Sequence, residues 1–233
     1  MYRNAEKLLT DCQETNRAIW EVALASSLVD QNQTEEELIS ELLGVYQVMK
    51  DAATQGQKEE LHSVSGLLRG NAKRVHDHRT RAQFLPEELV ELLSSAISTS
   101  EVNAAMGKIV ASPTAGAAGI LPACLLYWQK KSDVEDREMI KGLLTASQIG
   151  AVIMHRANVS GAEGGCQAET GSAAAMSAAA LVELSGGTPE EALNAAGFAI
   201  VNVLGLVCDP IGGRVEYPCF MRNANGVLNA LGA

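Results

Sequence analysis

Residues 171–182 read GSAAAMSAAALV, a run without a charge and almost without bulk. Alanine is the best helix former, and alternation of polar and apolar residues is absent here. The run is too short and too weakly apolar to span a bilayer. It reads instead as a helix whose small side chains let neighbouring helices come close. A glycine pair, Gly186–Gly187, ends it as a C-cap would.

The rest of the chain extends this reading. Its 233 residues suffice for one sizeable domain or two small ones. Hydrophobic residues make up 47% and aromatics only 4%, so the core is built from Ala, Leu, Val and Ile. Apolar positions recur at helical spacing over 4–29. At 34–53, Thr34 with Glu37 forms a capping box, and Leu38, Leu42, Val45 and Met49 share one face. Pro86-Glu87-Glu88 predicts a helix start, with a helix to about 99 and another over about 100–110. Further helices are expected after a loop within 111–129, over 133–157 and over 169–187. Over 188–205, Thr188, Pro189 and Glu191 give the cleanest start in the chain. A last helix follows a loop at 208–219. Alternating strand patterns and internal repeats are missing. The expectation is an all-α chain folded as a single helical domain over 1–233, with an N-terminal helical segment (1–56) and a core (57–233). The final residues, NGVLNALGA, carry no stop signal, so the natural C-terminus is expected to lie further on.

The formal net charge is −10, from 18 basic and 28 acidic residues. That argues against nucleic acid, whose phosphates want a basic face. The first residues lack the apolar core of a secretory signal. The five cysteines, Cys12, Cys124, Cys166, Cys208 and Cys219, are an odd number. Together these point to a reducing, cytoplasmic setting without membrane attachment.

Three glycine-bearing regions are candidates for chemistry. SVSGLLRGNAKR (63–74) offers backbone N–H groups, hydroxyls, Lys73 and Arg74 for a carboxylate, or is a plain connection with a solvated basic end. SPTAGAAGILP (112–122) has Gly116 and Gly119 before a helix, but lacks the Gly-Lys-Ser/Thr ending of a P-loop. The third region is a trio of cysteines beside loop-forming runs: Cys166 after Gly164-Gly165, Cys208 before Asp209-Pro210, and Cys219 after Pro218. Cys12 and Cys124 lie in helical, apolar surroundings and read as core. No C-x-x-C occurs, so spacing alone leaves the trio as ligands or as packing. A closed zinc site wants four ligands. A [4Fe–4S] cluster held by three cysteines leaves one iron free for substrate.

SGAEGGCQAETGSAAAMSAAAL, NVLGLVCDPIGGRVEYPCFMRNA and SPTAGAAGILPA together resemble the alpha subunit of bacterial iron–sulfur L-serine dehydratase (L-serine ammonia-lyase). The resemblance runs from about Ser63 onward and is looser before it. It implies that L-serine is converted to pyruvate and ammonia without pyridoxal phosphate. It also implies that Cys166, Cys208 and Cys219 hold a [4Fe–4S] cluster. Ser65, Asn71, Lys73, Thr114, Gly116 and Ala117 match segments that would wall the substrate pocket. No residue is assigned as the general base. The family also keeps a Ser-His-Thr motif in a separate beta subunit. None of the four histidines, His62, His76, His78 and His155, sits in that context. A beta partner and an oligomer are therefore expected.

Two positions depart from the pattern. Arg69–Asn71 stands where Gly-Gly-Asp or Gly-Gly-Glu is frequent, and Ala115 where Asn is frequent. Either change could shift substrate choice toward cysteine or threonine. A third reading keeps the fold as a cluster-free scaffold, against which the intact cysteine trio argues.

Overall fold

A computed structural model describes all residues, 1–233. It contains ten α-helices and no strand. In chain order these are α1 (Ala5–Thr15), α2 (Ile19–Gln31), α3 (Glu35–Lys58), α4 (Asn71–His78), α5 (Glu87–Ala104), α6 (Ile120–Ser132), α7 (Asp136–Arg156), α8 (Gly161–Leu184), α9 (Pro189–Val201) and α10 (Glu216–Gly232). The all-α expectation holds. No helix is long and apolar enough to cross a membrane.

The alanine-rich stretch is the hub. In α8, residues 173–175 and 178–180 are all alanine, and none is more than 1% exposed. Helices α6, α7, α9 and α10 pack around it. An alanine surface lets partner backbones approach where larger side chains would hold them off. One continuous core of 35 buried residues reaches from Leu8 in α1 to Ala230 in α10. The boundary expected near residue 56 falls inside α3, which packs on both α5 and α7.

The capping signals hold. Thr34 and Glu37 exchange hydrogen bonds at the start of α3, and Thr188 and Glu191 do so at the start of α9. The helical pattern at 4–29 breaks into α1 and α2, because Asn16 takes a left-handed conformation and the Glu183 carboxylate of α8 accepts the N–H groups of Ile19 and Trp20. A capping partner so distant in sequence leaves no local trace. The helix expected over 100–110 does not form separately. α5 runs through Ser100 to Ala104. The chain then turns at Met106 (φ 64°), with the Gly107 N–H donated to the Val102 carbonyl at 2.8 Å.

A smaller cluster, Leu68, Ala72, Ile97, Phe220 and Ala224, fastens the 63–70 loop and α4 to α5 and α10. It holds one rim of the site described next.

Candidate active site

The GAEGGCQAETG segment is helical with a kink. Gly165 has φ 78° and ψ 173°, outside the helical region, and Cys166 opens the helical run that continues α8. Glycine serves twice here. It adopts the positive φ without strain, and a Cβ would stand 2.9 Å from the Leu206 carbonyl oxygen. The same carbonyl accepts the Gln167 N–H at 2.8 Å. The backbone that approaches this glycine turn is thus the chain's own, two residues before Cys208. Cys219 sits in the first turns of α10, next to Pro218, which is tolerated there because early helical N–H groups need no helical partner.

These three segments meet at a cavity of about 480 Å³. Its lining includes Thr114, Gly116, Gly161, Glu169, Cys208, Glu216 and Cys219. Cys166 is buried, and its thiol accepts a hydrogen bond from Arg222 Nη1 at 2.7 Å. The three sulfurs influence one another electrostatically. Burial pushes the Cys219 thiol up to about 12, with the charges of Glu169, Cys166 and Cys208 adding to the rise. Burial also raises Cys166, and Arg222 opposes that rise. Cys12 and Cys124 are core residues, 1% and 0% exposed. All five thiols are free.

The loop over 112–119 is pinned to α10 by Asn223, which is fully buried. Its Oδ1 accepts the Gly119 N–H at 2.9 Å. Its Nδ2 donates to the carbonyls of Gly116 at 2.7 Å and Cys219 at 2.8 Å. One side chain therefore sets the distance between the Thr114–Gly116 wall and the Cys219 helix.

Of the pocket residues expected from the sequence, Thr114 and Gly116 line the cavity. Ser65 reaches its rim by donating to Glu216 Oε2 at 2.5 Å. Ala117 is fully buried in the core behind the wall. Asn71 and Lys73 belong to α4 and do not line the cavity. The Asn71 N–H goes to Glu101, its side-chain oxygen accepts from Arg74, and Lys73 pairs with Asp77 at 2.9 Å. The N–H groups that open α4 are indeed cradling a carboxylate, but it is Glu101's: Asn71 donates at 2.6 Å and Ala72 at 3.1 Å.

Glu169, Arg222 and Asn223 were not singled out from the sequence. Glu169 follows Cys166 by three residues and Arg222 follows Cys219 by three, one helical turn in each case, so each shares a face with its cysteine.

Comparisons with known proteins show the family. The sequence model of the family described as "Serine dehydratase alpha chain" matches residues 14–233. The L-serine dehydratase alpha chain of Peptoniphilus asaccharolyticus is 45% identical over 231 residues, covering 99% of this chain and 79% of that protein. The probable L-serine dehydratase alpha chain of Bacillus subtilis is 41% identical over 232 residues, covering 99% and 77%. L-serine dehydratase 2 of Escherichia coli is 35% identical over 243 residues, covering all of this chain but 52% of that protein. The chain belongs to the serine dehydratase alpha chain family.

Proposed function

We propose that this chain is the catalytic alpha chain of a cytoplasmic L-serine dehydratase that releases pyruvate and ammonia, working with a beta partner in an oligomer. The observation that carries the reading is that Cys208 of the 202–215 loop and Cys219 of α10 line one cavity, with the Cys166 thiol of α8 buried beside it and held by Arg222.

The donor set suits an iron–sulfur cluster held by Cys166, Cys208 and Cys219. No three potential ligands converge as they would on a single metal ion. Cysteine thiolates are the donors that iron–sulfur clusters take, and Cys166, Cys208 and Cys219 would supply three of them. The cavity's lining contains no Lys, Arg or His, so the carboxylate of an amino acid finds no cationic side chain there. When bound, the cluster would supply that missing Lewis acid for the substrate's carboxylate and hydroxyl. Arg222 lies beside Cys166 and favours its thiolate form, which is the form that ligates. Asn223 and Thr114 fix the opposite wall. Loss of water from serine gives aminoacrylate, whose imine tautomer is hydrolysed to pyruvate and ammonia. Five free thiols fit a reducing compartment. The names of the relatives, which specify an alpha chain, support a partner chain.

The test is iron and sulfide content after anaerobic reconstitution, with Cys166→Ala in parallel. About four irons per chain, lost in the variant, and serine turnover in the presence of a beta chain are expected. An iron-free protein under these conditions, or full iron in the variant, overturns the cluster assignment.

A further inference from the structure

We propose that the Glu169 carboxylate receives the α-ammonium group of the substrate and so makes the site selective for amino acids over hydroxy acids. This rests on the serine dehydratase reading above and assigns one recognition step within it.

Glu169 lies on α8 and lines the same cavity as Cys208 and Cys219. Its electrostatic influence reaches both Cys166 and Cys219. The surrounding wall is shaped for it. A Cβ at Gly116 would stand 2.6 Å from Oε1, and a Cβ at Gly161 would stand 2.6 Å from Oε2. Any side chain at either position would displace the carboxylate. The Thr114 hydroxyl donates to Oε1 and fixes its orientation, while Oε2 has no protein donor.

Charge decides the role. Glu169 and Glu216 are the only acidic side chains in the lining, which has no Lys, Arg or His. The nearby cation, Arg222, is already engaged by Cys166 and Asp209. An α-ammonium therefore meets carboxylate alone. Of the two, Glu216 sits at the start of α10 and is bound by Ser65 at the rim. Glu169 is held on the central helix, three residues after Cys166, and lines the cavity together with Cys208 and Cys219.

Two small unreactive probes separate this role from others. Glycine carries an ammonium and a carboxylate, and glycolate has a hydroxyl in place of the ammonium. Each is titrated by calorimetry into the iron-reconstituted protein and its Glu169→Gln variant. A charge-assisted hydrogen bond implies weakening of glycine by about 10–100-fold, with glycolate held to within about 3-fold. KM for L-serine rises by a similar factor as glycine, with kcat less affected, and iron content stays equal to the parent's. Glu216→Gln weakens glycine less than Glu169→Gln does. Equal loss of both probes, unchanged glycine affinity, loss of iron in Glu169→Gln, or the reverse ranking of the two variants overturns the assignment. An iron-loaded parent with intact glycine binding in the variant overturns only this step. A parent that takes up no iron overturns the cluster reading first.

Discussion

The Arg222 guanidinium donates to the Cys166 sulfur at 2.7 Å and pairs through its other terminal nitrogen with Asp209, the neighbour of Cys208. It is also on α10, one turn after Cys219, so a single side chain bears on all three cysteine segments. Residues that orient metal ligands through such contacts typically change metal affinity by about 10–100-fold when removed. Arg222→Ala is expected to lose iron at least about 10-fold faster to a chelator than the parent. Arg222→Lys recovers only part of this, because a point charge cannot serve two partners as a planar fork does. Iron per chain followed over time with a chelator present is the measurement. Parent-like retention in Arg222→Ala would show the contact to be incidental.

Asn223 makes a different prediction, because it acts on the wall rather than on a ligand. Asn223→Ala leaves the buried Gly119 N–H, and the part-buried Gly116 and Cys219 carbonyls, without their side-chain partner. Each buried polar group left unpaired costs about 1–3 kcal/mol. A urea midpoint well below the parent's is expected, together with a raised KM for L-serine as the 112–119 loop loosens. A stability change of under about 0.5 kcal/mol would place those backbone groups in contact with water instead.

The helices were legible because their signals are local. Thr34 with Glu37 and Thr188 with Glu191 each close a capping box inside four residues. The Cys12 and Cys124 environments were legible from apolar surroundings. What escaped depends on contacts distant in sequence. Glu183 caps α2 across 164 residues and so splits the first helical pattern. Glu101 accepts the N–H groups at the start of α4 from 29 and 30 residues away, a partner the 63–74 motif gives no sign of. The Asn71 and Lys73 side chains pair locally, with Arg74 and Asp77. Glu169 and Arg222 carried a weak signal, the three-residue offset from a cysteine, which gains meaning only once both segments are known to be helical.

The glycines of the site separate fold from function. A Cβ at Gly119 would stand 2.3 Å from the Ala96 carbonyl oxygen, a backbone atom in the packed interior. Gly119→Ala is expected to destabilise by about 1–3 kcal/mol, since overpacking forces backbone to shift. At Gly161 the nearest atom is the end of the Glu169 side chain, which can swing aside. Gly161→Ala should therefore keep a near-parental melting temperature while raising the KM for L-serine. Thermal melts and steady-state kinetics on both variants check this. A large loss of stability at Gly161, or none at Gly119, contradicts it.

Glu183 predicts a pH dependence far from the cysteines. Its carboxylate accepts hydrogen bonds from the Ile19 and Trp20 N–H groups and the Thr145 hydroxyl, joining α2, α7 and α8. Burial raises its pKa above the ordinary glutamate value and outweighs these donors, and the nearby Glu21 adds to the rise. A group whose folded value is raised contributes stability that is complete below its unfolded value, about 4.3, and is lost as pH rises through the folded value. Glu183→Gln cannot ionise and presents an amide nitrogen to one of the donors, so it is less stable than the parent by about 1–3 kcal/mol at acid pH. The parent then loses its advantage as the carboxyl ionises, and the gap narrows toward neutral pH. Urea unfolding of both proteins from about pH 5 to 8 measures the gap. A gap that widens with pH would mean that the three donors hold the ionised carboxylate more strongly than burial disfavours it.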